Sequence, residues 1–510
     1  MAVHPRSDPG TPLGQLALYE ELGMAGAPPF VQSRLVAGAR RTRETEGHQE
    51  ERYPAEYRTD GSLLGHLRFA LRREPLDLRV VAAALTAIGE EALIAWCREE
   101  PTGAHSRRAW FLYEALTGRT LDVPPVRTGN YVDALDPRLH FVAPAVNSPR
   151  HRVRDNLLGT AGLCPTVRRT ARLEAMIAAR WNERAAALTA RYDPATLARA
   201  VSFLYTKETR SSFALEGETP SANREERFLQ ALQAAPAFDP TSKAQLVRLQ
   251  GTIVDPRYAA HDFRDFQNFV GETTRRLGEH VHFICPRPED VPSLMTGWMA
   301  LTERLLGGSV APAVLDPVVA AAVAAFAFVF VHPFEDGNGR LHRFLIHFML
   351  SRRGFTPPGM IFPVSASILR DRRRYDAALE AFSRPALTAT DWAFTEDQEI
   401  RVRNDTRDLF RFFDATAQAE YLYDRVKDTI EVDLTEELDW LVVYEAAYRG
   451  VRAVVDMPDR RASLLTRLCL QNGGRLSQAK RAQFAELTED EVARIEAAVG
   501  QAMRGEGAVL

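Results

Sequence analysis

Fourteen consecutive apolar residues, Val318 to Val331, end abruptly at the polar string His332-Pro333-Phe334-Glu335-Asp336-Gly337-Asn338-Gly339-Arg340-Leu341-His342-Arg343. A segment without a polar face must be covered on every side, by lipid or by other parts of the chain. Spanning a bilayer takes about 20 such residues, so the shorter run predicts a core helix around which other elements pack. Asp316-Pro317 opens it with an N-cap and a proline at the first helical position. The residues with the richest chemistry are thereby fastened to the most buried element of the fold.

Helical spacing dominates the remainder. It is clear in Leu63-Leu64-x-x-Leu67-x-x-Ala70-Leu71, in Val80 to Trp96 and in Arg107 to Leu116. Pro124 to Asn156 reads as loop, with a Gly129-Asn130 turn. Helical pattern resumes from Thr166 to Arg191 and, after an Asp193-Pro194 cap, from Leu197 to Leu215, where Gly217 and Pro220 stop it. Further helices are expected at 224–234, 242–249, 291–306 and 338–353, the last with a buried stripe of Leu341, Phe344, Leu345, Phe348 and Met349. Val281-His282-Phe283-Ile284 reads as a strand ended by Pro286, with Asn268-Phe269-Val270 as its hairpin partner. Three short helices close the chain, and Thr488-x-x-Glu491 forms a capping box for the last. The expected fold is mostly α with one small hairpin. It divides into an irregular segment at 1–60, an N-terminal helical region at 61–192, a core at 193–400 and a C-terminal helical region at 401–510.

The 510 residues allow two to four domains, and 45% hydrophobic with 26% charged residues describe a soluble globular protein. A net charge of -3 excludes a global basic field for bulk nucleic-acid binding. Cys97, Cys164, Cys285 and Cys469 are too scattered for a zinc knuckle or a disulfide framework and are expected to be buried thiols. Met1 to Gly14 is polar and rich in Pro and Gly, without an apolar leader. The expectation is a cytoplasmic protein without a membrane segment, and export by a leaderless route is equally compatible.

The polar string concentrates phosphate chemistry. Gly337-Asn338-Gly339 lets the backbone turn and expose its N–H groups at a helix start, where the helix dipole adds positive potential. Arg340 and Arg343 lie three apart, on one face of that helix, and guanidinium forks suit phosphate oxygens. Asp336 is a single carboxylate that, with phosphate oxygens and water, makes an ordinary Mg²⁺ site. His332 is placed to act as a general base, and Phe334 is expected to plug into the core and anchor the loop.

The string resembles the signature of the Fic family, His-x-Phe-x-Asp/Glu-Gly-Asn-Gly-Arg-x-x-Arg, at every defined position. The resemblance covers roughly residues 195–400 and implies a Fic-type helical bundle that transfers AMP from ATP, with Mg²⁺, to a protein Ser, Thr or Tyr hydroxyl. It implies that His332 deprotonates the hydroxyl, that Asp336 holds the metal, that Gly337, Asn338 and Gly339 form an anion hole, and that Arg340 and Arg343 hold the outer phosphates. Val281, His282, Phe283 and Ile284 are similar in position to the family's flap, a hairpin that holds the target by strand addition. Tyr375, in Arg-x-x-Tyr-x-x-x-Leu, is a candidate nucleobase contact; where relatives often carry an asparagine a little further on, this chain has Ser383-Arg384.

Upstream, Ser212-x-x-x-Glu216-Gly217 resembles the family's inhibitory helix motif, which implies a Glu216–Arg343 pair and an autoinhibited resting state. The implied partner is a protein with a hydroxyl side chain, and auto-AMPylation or a homo-oligomer would fit the same reading. Removal of AMP, use of UTP or another donor, and a nucleotide-sensing regulatory role with DNA binding are the competing readings. Helices at 460–503 resemble a winged-helix or helix-turn-helix arrangement, but the acidic start Thr488-Glu489-Asp490-Glu491 opposes DNA phosphates and argues against DNA binding.

Overall fold

The computed structural model describes residues 10–45, 47–274, 278–307 and 315–505. The first nine residues of the expected irregular segment, the tip of the expected flap at 275–277 and the last five positions lie outside the described residues.

The chain begins with β1 (Thr11–Leu13), α1 (Gly14–Glu21), β2 (Val31–Leu35), β3 (Arg41–Thr45) and β4 (His48–Tyr53). Then come α2 (Leu63–Arg73), α3 (Leu78–Glu99) and α4 (Ala104–Thr117), and the short strands β5 (Val132–Asp133), β6 (Val146–Ser148) and β7 (Val153–Asp155). Next are α5 (Ala171–Ala178), α6 (Trp181–Thr189), α7 (Pro194–Leu215), α8 (Ala222–Ala234) and α9 (Lys243–Ile253). The hairpin β8 (Phe269–Thr274) and β9 (Gly278–Ile284) leads to α10 (Val291–Leu306), α11 (Pro317–Val331), α12 (Asn338–Arg352), α13 (Val364–Arg370) and α14 (Arg372–Ala389). After β10 (Trp392–Phe394) and β11 (Ile400–Val402) come α15 (Arg407–Arg411), α16 (Thr416–Asp428), α17 (Thr435–Val454), α18 (Asp459–Gln471), α19 (Gln478–Arg481) and α20 (Glu489–Met503).

The apolar run is the central helix. Asp316 Oδ1 accepts from Val318 N at 2.8 Å and Val319 N at 3.1 Å, so the cap forms as the sequence requires. Every residue of Val318 to Val331 except Val329 is buried. Its alanines let neighbours come close: Trp298 of α10 donates its indole N–H to Ala324 O at 2.8 Å and sets its ring edge against Phe328, 5.3 Å between centroids. α12 and α16 cover other sides, and Phe326 meets His342 at 4.7 Å and Tyr421 at 6.4 Å. The Thr488–Glu491 capping box is present, and all four cysteines are free and buried.

Four expectations need correction. The described part of 1–60 is not irregular: β1, β2, β4 and β3, between Thr11 and Tyr53, form a four-stranded sheet in that order, with β2 and β4 parallel. Charged strands hide the apolar alternation that marks a strand, and the ladder is instead tied by polar cross-strand pairs such as Thr42 Oγ1 to Glu51 at 2.7 Å. The hairpin β8–β9 is there, but it is joined by a three-stranded sheet of β5, β7 and β6 and by the pair β10–β11. The core does not stop at residue 400, because Cys164 N bonds Arg411 O at 2.7 Å, Ala415 N bonds Thr166 O at 2.8 Å, and α16 packs into the same apolar cluster as α11. Among the described residues no strand follows β11, so the C-terminal region has no wing. It is a helical unit built on Ala447, Val451, Leu465, Cys469, Ile495 and Val499.

α3 is long and apolar enough to cross a bilayer by length and composition alone. Gly89, at φ +80°, breaks it. Val80, Val81, Ala84, Leu85, Leu93 and Trp96 are buried in an N-terminal core shared with α2 and α4.

Because Trp298 is fully buried and its N–H is satisfied inside the core, Trp298→Ala is expected to lower stability by about 3–5 kcal/mol, read as a lower urea midpoint at unchanged slope.

Candidate active site

α11 ends at His332, which takes a left-handed conformation (φ +52°) that turns the chain out of the helix and into the motif loop. Its Nδ1 stands 3.2 Å from Val329 O. A carbonyl only accepts, so Nδ1 carries the proton and Nε2 presents its lone pair. Burial, and then the nearby charge of Arg264, push the imidazole pKa down to about 4, so the ring is neutral near pH 7 and able to accept a proton.

The loop is held from several directions. Phe334 is fully buried, 5.6 Å from Phe263 and 6.4 Å from Phe328, as its place in the motif predicted. The Asn338 amide both accepts from Phe334 N at 3.1 Å and donates to Phe334 O at 2.8 Å, stapling the loop shut. Its side chain is thus structural, and its contribution to an anion site is its backbone N–H. Gly337 sits at φ +89°, where an L side chain would be strained, and a Cβ there would come within 2.8 Å of Val254. Asn338, Gly339 and Arg340 then open α12 with N–H groups that the helix itself cannot pair.

A carboxylate lies over that helix start. α7 ends by the Gly217 turn at φ +71° and delivers Glu216 to Arg343, Nη2 to Oε1 at 2.7 Å. A Cβ on Gly339 would stand 2.3 Å from Glu216 Oε1, so the missing side chain there is what lets the carboxylate in. Burial works against the ionised carboxylate, but the charge and hydrogen bond of Arg343, with Arg340 and His332 behind it, hold its pKa below the usual range. Ser212 completes the grip: its hydroxyl accepts from Arg343 Nε and its carbonyl from Nη2, both at 2.8 Å.

His332, Glu216, Gly339, Arg343 and Tyr375 border one cavity of about 600 Å³, a size suited to a nucleotide-sized ligand. Tyr375 presents a mostly buried ring whose hydroxyl is pushed up to about 12 by burial. Arg340 is turned aside: it pairs with Asp336 at 2.8 Å and with Glu218 at 3.1 Å. Asp336 Oδ1 accepts from Gly337 N and from Arg340, whereas Oδ2 has no protein partner among the described residues. No cluster of three or more metal-ligating side chains occurs among the described residues. One free carboxylate oxygen beside a phosphate cradle still fits Mg²⁺, which completes its shell with phosphate oxygens and water.

The flap residues divide. Val281 and Ile284 pack on Ile400 with Trp392 and Phe394 around them, Phe283 enters the main core and also borders the cavity, and His282 is exposed beside it. The apolar side chains of Val281, Phe283 and Ile284 thus seat the hairpin, whereas strand addition would use its backbone.

Two residues were missed. Arg264 is buried and donates Nε to His332 O at 2.8 Å, Nη1 to Phe266 O at 2.7 Å and Nη2 to Pro286 O at 2.7 Å, tying the motif loop to the foot of the flap. Glu218 bridges Arg340 and Arg224, the latter at 2.8 Å. Glu218 lies two positions past Glu216, a spacing that could have flagged it; nothing in the sequence around Arg264 points to its partners.

Residues 240–350 match the model of the Fic/DOC family. The chain carries a Fic domain. The chain is similar to Protein adenylyltransferase Fic of Nematostella vectensis, 40% identical over 72 residues, 14% of this chain and 16% of that protein. It is also similar to Protein adenylyltransferase Fic of Drosophila melanogaster, 42% identical over 104 residues, 20% of this chain and 18% of that protein. The chain thus spans less than a fifth of the length of these curated relatives. A solved Fic family protein from Desulfovibrio desulfuricans overlays 60% of this chain and 88% of its own at 18% identity, with a TM-score of 0.38.

His332 and the fully buried His342, whose pKa burial also lowers to about 4, bind fewer protons folded than unfolded between about pH 4 and 6.5. Their stabilising share is complete above pH 6.5 and is lost as pH falls through 4. Urea unfolding across that range is expected to show declining stability, and His342→Leu is expected to flatten the decline.

Proposed function

We propose that this chain transfers AMP from ATP to a hydroxyl side chain of a protein and that Glu216 restrains the reaction. The observation that carries the reading is that a neutral imidazole, His332, and a buried guanidinium, Arg343, border one cavity at the start of α12. The adenylyltransferase names of the similar proteins support the same class of chemistry.

In this reading His332 Nε2 takes the proton from the target hydroxyl as its oxygen bonds to the α-phosphorus. The bond from that phosphorus to the bridging oxygen breaks, and pyrophosphate leaves. Charge grows on the departing oxygens, and fixed donors aimed at such charge are the effective catalysts of phosphoryl transfer. The free N–H groups of Asn338, Gly339 and Arg340 and the guanidinium of Arg343 are those donors. Asp336 would hold Mg²⁺, which when bound supplies further positive charge to the phosphate oxygens. The stapled loop keeps His332 and the cradle in fixed relation.

Glu216 competes with the substrate. A carboxylate 2.7 Å from Arg343 and packed over Gly339 occupies the position a terminal phosphate needs, and two anions cannot share it. The resting protein then binds nucleotide weakly or in an unproductive pose.

Intact-mass spectrometry after incubation with Mg²⁺ and ATP, UTP or GTP tests this. Auto-labelling by ATP is expected to rise at least tenfold in Glu216→Gly, and adding His332→Ala should remove at least 100-fold of that activity. Equal labelling with and without His332 would overturn its role as base, no gain in Glu216→Gly would overturn the restraint, and adducts from UTP alone would overturn the choice of AMP.

A further inference from the structure

α7 has two working faces. At 3.6 residues per turn, Glu208, Ser212 and Glu216 recur along one side, and Thr196, Arg199, Phe203 and Lys207 lie on the opposite side. The first side runs antiparallel along α12: Glu208 meets His347 Nε2 at 2.8 Å, Ser212 meets Arg343 Nε at 2.8 Å, and Glu216 meets Arg343 Nη2 at 2.7 Å. The second side runs antiparallel along α17. Thr196 and Arg199 share Glu445, at 3.0 and 2.7 Å; Phe203 sets its ring edge against Trp440, at 5.7 Å; and Lys207 reaches Glu437 at 3.4 Å.

Lys207 also pairs at 2.9 Å with Asp433, fully buried just before α17, and Arg370 of α13 holds the same carboxylate at 2.6 Å. α13 in turn pairs Ser365 N with Glu208 at 2.8 Å. The helix that carries Glu216 is therefore held between the motif helix and the C-terminal region.

We infer that α17 clamps α7 from outside, so that the C-terminal helices govern whether Glu216 reaches Arg343. This rests on the restraint proposed above and extends it to a control element. α17 is built for the task, because one continuous helix contributes Leu438 and Leu441 to the main core and Ala447 and Val451 to the C-terminal core. A displacement of the C-terminal helices is transmitted along it to the contacts on α7. The outer contacts are also reversible in kind: Phe203 and Trp440 remain 47% and 39% exposed, and the Arg199–Glu445 pair reaches solvent. Partly exposed ion pairs are individually weak.

The test is a charge swap in the 510-residue chain. Arg199→Glu should raise auto-labelling with ATP and Mg²⁺ at least threefold and speed amide exchange in α7 at least fivefold. Adding Glu445→Arg should return both to within twofold of wild type. The clamp is overturned if α7 exchange stays within twofold of wild type in the reversed variant, or if labelling is unchanged although Glu216→Gly raises it. If Glu216→Gly raises nothing, the restraint itself falls, and the exchange measurement still decides whether α17 holds α7. Should the reversed variant fail to fold, Phe203→Ala is read by the same two measurements and the same limits.

Discussion

A guanidinium buried like that of Arg343 must be surrounded by acceptors, because an unpaired charge in the interior is far more costly than any single packing contact. Ser212 and Glu216 supply those acceptors in the resting state. A nucleotide phosphate would supply them in the working state. In the proposed reading the same positive group docks α7 and reads substrate, and either anion excludes the other. Gly339, whose bare backbone admits the Glu216 carboxylate, lies where that competition would occur.

The rest of the fold keeps this site stiff. α11 is covered on nearly all sides and offers α12 an unyielding surface. Phe334 pins the loop from below, Asn338 closes it on itself, and Arg264 fastens it to the hairpin. Fixed donors need no reorganisation as charge develops, which is where such sites gain their effect. The side on which we infer control is built differently: α7 meets α17 largely through long, partly exposed side chains such as Arg199, Phe203 and Trp440.

Much of this was legible before any coordinates. The cap at Asp316, the burial of Phe334, the helix 194–215 and its end at Gly217 all follow from local rules of backbone geometry and side-chain periodicity. The strands between Thr11 and Tyr53 escape a sequence reading because β3 and β4 are charged, so alternation gives no signal, and the two strands pair only with tertiary neighbours. Of the winged-helix and helix-turn-helix arrangements that helices 460–503 resemble, the described residues show the helices without a wing strand, as the capping box and apolar spacing there already allowed.

The sequence by itself determined the central helix, the Gly-Asn-Gly turn beside it and the residues that face the same way on α7 and α12, because each depends on neighbours within a turn or two. Apart from the Glu216–Arg343 pair that the motif resemblance implied, only the tertiary structure decided which distant charges meet. Glu218 and Arg340 are 122 positions apart, Arg264 and His332 are 68, and Lys207 and Glu437 are 230. No local pattern selects among the many arginines and carboxylates of this chain. The choice is made by packing, which brings a few of them within hydrogen-bonding distance and buries them where an unpaired charge could not remain.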